Sequence, residues 1–419
     1  MSNPSLVCSA GTTTYEVMKN LLAGKRFLQV CRQYSTKCYC LGKITTLQSL
    51  PRDTPIFLQT RTNRILFTAL HAIKEMIYTL RKECKRARWG IVIGNTTTGI
   101  GENYTAIQSH YDSTKPNAEQ TFVTTSQASK DSTKFTYNKG RNALYNPCFF
   151  LNQYLNLQAL NFGVSSACTS GAKALIQASR LLKCELCDIV IAGGVDSLNA
   201  LTINGFAALD ILSQNPSEPF SESKGINIGE GAGLFLLIHQ NLYKQLSSNL
   251  KQKFLVELQG YASNNDAFHI TNPKLDNKKF QAIIDSLLQS SGLQAQDIDY
   301  INLHGTGTQA NDSMESELLS QSFANTPCST IKPMIGHTLG ASGAIEAGVC
   351  AMLIIESLKN KDGKTFLPPH IANTKASLPT MLNFANNTQK ITVKHTLSTS
   401  FAFGGDNSIL LISASNEEQ

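Results

Sequence analysis

The stretch Asn161-Phe-Gly-Val-Ser-Ser-Ala-Cys168-Thr-Ser-Gly-Ala-Lys-Ala-Leu175 holds the residue best placed to do chemistry. A short apolar run ends in a turn of small residues, Cys168 sits at the turn, and Ala172, Leu175, Ile176 and Ser179 follow at helical spacing. The pattern predicts strand, tight turn and helix, with the thiol at or just before the helix N-terminus. Unpaired backbone N–H groups and the positive end of the helix dipole favour thiolate over thiol there. The same N–H groups can cradle an oxyanion. Many cysteines beside turns are only core packing. The rest of the chain has to separate the two readings.

The elements that would position such a residue alternate. Apolar runs at Trp89–Ile93, Asp188–Gly194, Leu234–Ile238, Tyr300–Leu303 and Ile409–Ile412 read as strands. Helices are predicted over Thr13–Leu22, Asn63–Leu80, from near Pro147, over Phe280–Ser291 and over Ala341–Leu358. Ser5–Cys8 is a short first strand, and Phe254–Gly260 opens a second half. Residues 25–60 are mixed. Residues 108–142 are polar and read as a long surface excursion, and Asn416–Gln419 as a polar tail. Apolar strands without polar alternation argue for α/β layers with sheets buried on both faces. In such sheets chemistry gathers at the carboxyl ends of strands. Cys168, His304 and the 401–407 loop all fall at or beside such ends.

Composition narrows the class. The chain has 419 residues and a net charge of +7, from 37 basic and 30 acidic residues. This mild excess suits an acidic protein partner and lacks the clustering of a nucleic-acid binder. The densest basic run, Arg81–Arg88, reads as a solvated helix end. The eleven cysteines show no framework spacing. No signal-like segment opens the chain, and no apolar run is expected to reach the roughly 18 residues of a membrane span. The expectation is a cytoplasmic protein with free thiols. Cys184-Glu-Leu-Cys187 and Cys38-Tyr-Cys40 lack a second Cys or His pair at zinc spacing, so no metal site is expected.

Four motifs stand in order: Ser166-Ala-Cys168-Thr-Ser-Gly171, His304-Gly-Thr-Gly-Thr-Gln-Ala-Asn-Asp312, Lys332-Pro-Met-Ile-Gly-His337-Thr-Leu-Gly-Ala-Ser-Gly-Ala-Ile-Glu346 and Phe401-Ala-Phe403-Gly-Gly-Asp-Asn407. Together they resemble the β-ketoacyl-acyl carrier protein synthases of the elongating, two-histidine type, within the thiolase superfamily, over nearly the whole chain. The resemblance implies a five-layer αβαβα thiolase-like fold of two similar halves, 1–250 and 251–419, and a dimer. It implies decarboxylative Claisen condensation. An acyl chain passes from carrier protein to cysteine, and a malonyl extender then loses carbon dioxide and attacks the acyl thioester. No cofactor is implied beyond the phosphopantetheine on which acyl carrier protein holds the substrates.

The resemblance also distributes roles. Cys168 matches the nucleophile, and the Cys168 and Phe403 N–H groups match the oxyanion hole. His304 and His337 match two neutral imidazoles that donate to the malonyl thioester oxygen as the enolate forms. Lys332 matches the supporting cation, which helps keep an imidazole neutral. Asp312, Glu315 and Glu346 match acidic positions that hold Lys332 and the helices in register, although Glu315 equally suits a solvated helix face. Phe403 matches a gate before the acyl channel. Arg61 and Arg64 lie where the family presents basic residues to carrier protein.

There are departures. Asp406 stands where threonine is common, and the sequence leaves open whether it tunes gating, pairs with a neighbour or points away. Ile203–Asp210 and Gly225–Gly231 look closer to synthases of aryl polyene or related polyketide pathways than to housekeeping fatty-acid enzymes. A thiolase would want a second cysteine in the Gly-Gly loop, an initiating synthase a histidine–asparagine pair, and a hydrolase a base poised on water. The alternative from another class is a chain-length-factor-like partner subunit that shapes a neighbour's channel. Cys168, His304, Lys332 and His337 argue against a subunit without a nucleophile, while pairing with one stays open.

Overall fold

β-branched and aliphatic runs extend into strands because their side chains pack on pleated surfaces. The computed structural model describes residues 1–114, 136–221, 225–275, 278–372, 381–388 and 390–415. The first sheet contains β1 (Ser5–Cys8), β2 (Trp89–Gly94), β3 (Leu160–Val164), β4 (Ile189–Asp196) and β5 (Gly231–Ile238), in the order β1-β5-β4-β2-β3. The second contains β6 (Val256–Asn265), β7 (Tyr300–Asn302), β8 (Pro327–Ser329), β9 (Asn383–Phe384), β10 (His395–Ala402) and β11 (Asp406–Ala414), in the order β9-β8-β7-β10-β11-β6. Read from β6, the second sheet repeats the order of the first and adds β9. Strands β2, β3 and β4 run parallel, and β1 and β5 lie antiparallel to their neighbours.

Helices cover both sheets. Helix α1 (Arg61–Glu83) starts at Thr60, whose hydroxyl accepts from the Asn63 N–H at 3.1 Å, and it lays Ile65, Ile73 and Ile77 on the outer face of the first sheet. Helix α2 (Ser170–Lys183) follows the cysteine turn, and the short α3 (Ala200–Ala208) follows β4. Helices α4 (Lys278–Ser290) and α5 (Gln309–Phe323) cover the outer face of the second sheet through Phe280, Ile284, Met314 and Leu318. Helix α6 (Ser342–Lys359) lies with α2 between the sheets. One core joins Val190, Ala192 and Phe235 to Leu410 and Ile412 through Ala172, Leu175, Ile345 and Val349. The order of layers is helix, sheet, helix, sheet, helix, as the thiolase-like reading expects.

Two expectations are corrected. The polar 108–142 segment is not all excursion. Residues through Thr114 continue a helix from Ile100, and Arg141 is buried with its guanidinium on the Thr136 carbonyl; residues 115–135 lie outside the described residues, as do 416–419. Among the described residues one helix, Leu339–Lys359, is long and apolar enough to cross a membrane, contrary to the expectation of none. Its most apolar window is 89% buried inside the protein, as the position of α6 between two apolar sheets requires.

Candidate active site

The cysteine turn is tightly held. Ala167 adopts a left-handed φ of 50°, a conformation that costs energy for a residue with a Cβ. The Ser170 hydroxyl accepts from the Ser166 N–H at 2.9 Å and donates to the Ala167 carbonyl at 2.6 Å. Cys168 is thereby placed just before α2 and is only 8% exposed. Burial pushes its thiol up to about 12, against the opposing pull of the Lys332 charge. Desolvation beneath the histidines opposes the thiolate that the helix end favours. The Cys168 and Phe403 N–H groups donate to no other residue among those described, and both residues line one cavity of about 230 Å³.

Two imidazoles face this thiol. His337 Nε2 lies 3.0 Å from Cys168 Sγ, and its Nδ1 accepts the Leu339 N–H at 3.3 Å. An Nδ1 that accepts leaves the proton of a neutral ring on Nε2. Across the cavity, His304 Nδ1 is 3.3 Å from Lys332 Nζ, an ammonium that can only donate, so here too the proton falls on Nε2. The ring centroids are 5.4 Å apart and nearly perpendicular. Burial, reinforced by the Lys332 charge, pushes both histidines well below their ordinary range. Both therefore stay neutral and present an N–H. With Nδ1 occupied, His337 has no lone pair to offer the thiol as a base.

The acidic residues divide their work differently from the expectation. Glu346 alone of the three pairs with Lys332, and Ser342 Oγ donates to it at 2.9 Å. Glu315 is fully buried, which rules out the solvated helix face. Its carboxylate accepts the His304 and Gly305 N–H groups at 2.7 and 2.8 Å and the Thr399 hydroxyl at 2.7 Å. Asp312 accepts the Phe220 N–H at 2.8 Å and the Gly307 N–H at 3.3 Å. Both hold the 304–307 loop rather than Lys332. Burial raises Glu315 to about 7 and Asp312 to about 6 despite these donors.

Phe403 stacks on Phe206 of α3, with centroids 5.9 Å apart. Asp406 pairs with neighbours: its carboxylate accepts from Thr169 Oγ1 at 2.6 Å and from Lys173 Nζ at 2.5 Å. Arg61 is corrected as a carrier-protein contact. Its guanidinium turns inward onto Glu230, with Nε to Oε2 at 2.7 Å, and onto the Ile44 carbonyl at 2.9 Å. Arg64 is half-buried and reaches the Leu47 and Gln48 carbonyls at a loose 3.5 Å.

Sequence reasoning missed three contributors. Thr399 anchors both the His304 N–H, at 3.0 Å, and Glu315. Asp196 accepts from Thr96, Thr97 and, at 2.6 Å, the Gly340 N–H, which fixes the turn whose Leu339 N–H sets the His337 tautomer. Phe206 stacks on the Phe403 ring. Only Asp196 gave a signal, as a carboxylate closing a fully apolar strand at its carboxyl end.

Known proteins resemble the chain in sequence and in fold. The β-ketoacyl synthase N-terminal domain matches residues 63–241, and the β-ketoacyl synthase C-terminal domain matches residues 255–360. A 3-oxoacyl-[acyl-carrier-protein] synthase 2 from Rhizobium meliloti is 34% identical over 270 residues, and Nodulation protein E from the same species is 33% identical over 264. Each alignment spans 61% of this chain and 61% or 62% of the relative, so the match covers less than two thirds of either curated protein. A chain from the solved complex of the ketosynthase ApeO with its chain length factor ApeC, from Xenorhabdus doucetiae, superposes with a TM-score of 0.83 at 30% identity. That likeness covers 99% of this chain and 97% of the other. A β-ketoacyl synthase from Burkholderia phymatum, at 21% identity and a TM-score of 0.79 over 99% of each chain, shares the fold. With both domains matched in order and likeness to a solved relative running end to end, the chain belongs to the β-ketoacyl synthase family.

Proposed function

We propose that the protein is a β-ketoacyl-acyl carrier protein synthase that elongates an acyl chain by decarboxylative condensation. The observation that carries this reading is the pair of neutral imidazoles, each presenting Nε2–H to the cavity that holds the Cys168 thiol. The Cys168 sulfur attacks the acyl thioester carbonyl, and the tetrahedral oxyanion rests on the Cys168 and Phe403 N–H groups. The carrier C–S bond then breaks, and the proton given up by the Cys168 thiol ends on the leaving carrier sulfur. Malonyl thioester then enters. Its carboxylate bond breaks to release carbon dioxide, and the electron pair forms an enolate whose oxygen accepts from His304 and His337. The enolate carbon attacks the acyl-cysteine carbonyl, and the C–S bond breaks to return the thiolate.

Acyl carrier protein is the proposed partner, with Arg64 as a docking contact. No cofactor is proposed beyond the carrier's phosphopantetheine. A dimer is proposed, either of identical chains or with a chain-length-factor-like homologue. It is supported by the open edge strand β3, with Leu160 half exposed, and by the ketosynthase–chain length factor complex among the relatives. An aryl polyene or related polyketide pathway is proposed on the Ile203–Asp210 and Gly225–Gly231 segments, together with a cytoplasmic setting. We take 1–250 and 251–419 as the two halves.

Intact-mass analysis with a panel of acyl-carrier proteins tests the reading. An acyl adduct on Cys168, chased to a ketoacyl product by malonyl-carrier protein, is expected. His304→Ala should keep the adduct and lose carbon dioxide release by about 10²–10³-fold, the cost of an oxyanion donor elsewhere. No adduct across the panel, alone or with a candidate partner subunit, overturns the proposal. Wild-type carbon dioxide release by His304→Ala overturns the role given to that residue.

A further inference from the structure

The two unpaired N–H donors come from opposite halves of the molecule. Cys168 ends the connection from β3 in the first half, and Phe403 lies in the turn joining β10 and β11 in the second. A tetrahedral oxyanion needs both within hydrogen-bond distance of one point, so something must fix their separation. The turn is pliable in itself, with Gly404 and Gly405 at φ of 82° and 71°. Several of its contacts stay within its own half. The Gly404 N–H donates to the Ile270 carbonyl at 2.8 Å, and the Asp266 N–H donates to the Gly405 carbonyl at 2.9 Å. Those bonds set the turn against β6 and its exit, not against the nucleophile.

Asp406 makes the crossing. It is the register partner of Ala402, so it closes the stem of the turn that carries Phe403. Its two carboxylate oxygens divide between Thr169, the residue after Cys168 and N-cap of α2, and Lys173, one turn further along the same helix. The two bonds approach from different points on α2, so they fix orientation as well as distance. Both partners are largely buried, at 14% exposure for the Asp406 side chain and 23% for Lys173, which limits screening of the pair.

We propose that Asp406 is a positioning residue that sets the spacing of the two oxyanion donors by tying the Phe403 turn to the nucleophile helix through Thr169 and Lys173. This rests on the condensing-enzyme reading and adds to it a division of labour. Acyl transfer and carbon–carbon bond formation pass through a tetrahedral oxyanion and depend on Asp406. Decarboxylation, which draws on His304 and His337, does not.

The test compares wild type, Asp406→Ala, Asp406→Asn and Lys173→Met, each checked for wild-type thermal unfolding and oligomeric state. Acyl-adduct formation on Cys168 and carbon dioxide release from malonyl-carrier protein are timed separately. For Asp406→Ala, adduct formation should slow by about tenfold or more, short of the roughly 10²–10³ that follows complete loss of a donor, with KM for the acyl carrier little changed. Carbon dioxide release should hold at the wild-type rate. Asp406→Asn keeps an acceptor for Thr169 and should recover part of the loss, and Lys173→Met should resemble it. Equal loss of both half-reactions would make Asp406 a general structural support, and no loss in either would leave the turn independent of it; both overturn the proposal. An absent adduct on wild type overturns the enzymatic reading itself, a result distinct from either.

Discussion

Lys332 acts on both histidines at once. It donates toward His304 Nδ1, its charge adds to burial in keeping both rings neutral, and Glu346 holds it in place. A histidine whose folded pKa is depressed keeps its neutral form as the pH falls through the ordinary 6.5, and its cost to stability appears below that value. Both N–H donors should therefore persist as the pH falls through the ordinary 6.5, and any fall in carbon dioxide release from malonyl-carrier protein between about pH 7 and 6 should come from Glu315 and Asp312, which hold the His304 loop. A limb near about 6.5 that persists unchanged in Glu315→Gln and Asp312→Asn would sink the account. At this scale the sequence was legible where a reactive side chain sits among glycines at the end of an apolar strand, as with Cys168 and His304. It was not legible for Arg61. A basic residue at a helix start reads the same whether it faces solvent or a buried Glu230 far along the chain. Nor could spacing on α5 tell that Glu315 faces the 304–305 backbone.

Helices α2 and α6 cross where neither has room for larger side chains. A Cβ on Gly171 would lie 2.8 Å from the Ala344 nitrogen and 2.9 Å from the Gly340 carbonyl oxygen, both backbone atoms. Gly171→Ala should cost about 1–3 kcal/mol, the usual penalty of overpacking, and should disturb the Cys168 turn that begins α2. Urea denaturation measures the loss, and unchanged stability would mean that the crossing yields more easily than this geometry allows. The strongest element predictions were the apolar strands and α6, where pattern and burial agree. Strand β10, with Thr396, Ser398, Thr399 and Ser400 all buried, escaped notice because Thr396 and Thr399 bond to neighbours distant in sequence, while the Ser398 and Ser400 hydroxyls are buried without a partner among the described residues. The helix through Thr114 was lost in a polar stretch.

The middle layer makes the two halves interdependent. Each sheet buries one face against α2 and α6, so neither face is covered unless both halves are folded. Unfolding should be a single transition. Fluorescence of Trp89, the only tryptophan and a member of the first sheet, should lose its native signal together with hydrogen-exchange protection across β10 and β11. Separate midpoints would show that the halves are independent folding units. The repeated strand order behind this arrangement left no trace in the sequence at any regular period. Two sheets need only similar burial patterns to share an order, and those patterns tolerate many different side chains.

The strand order also dictates a timetable. β11 is the last strand of the second sheet to be made, yet it sits inside that sheet between β10 and β6. While the chain is on the ribosome, β6 waits without this partner until the residues from Asp266 through Gly405 have been added, on the order of ten seconds at ordinary elongation rates. For that interval both edges of β6 are open to other nascent chains, and β11 later covers one of them. The demand on chaperones therefore rises once β6 is made and eases when β11 pairs with it.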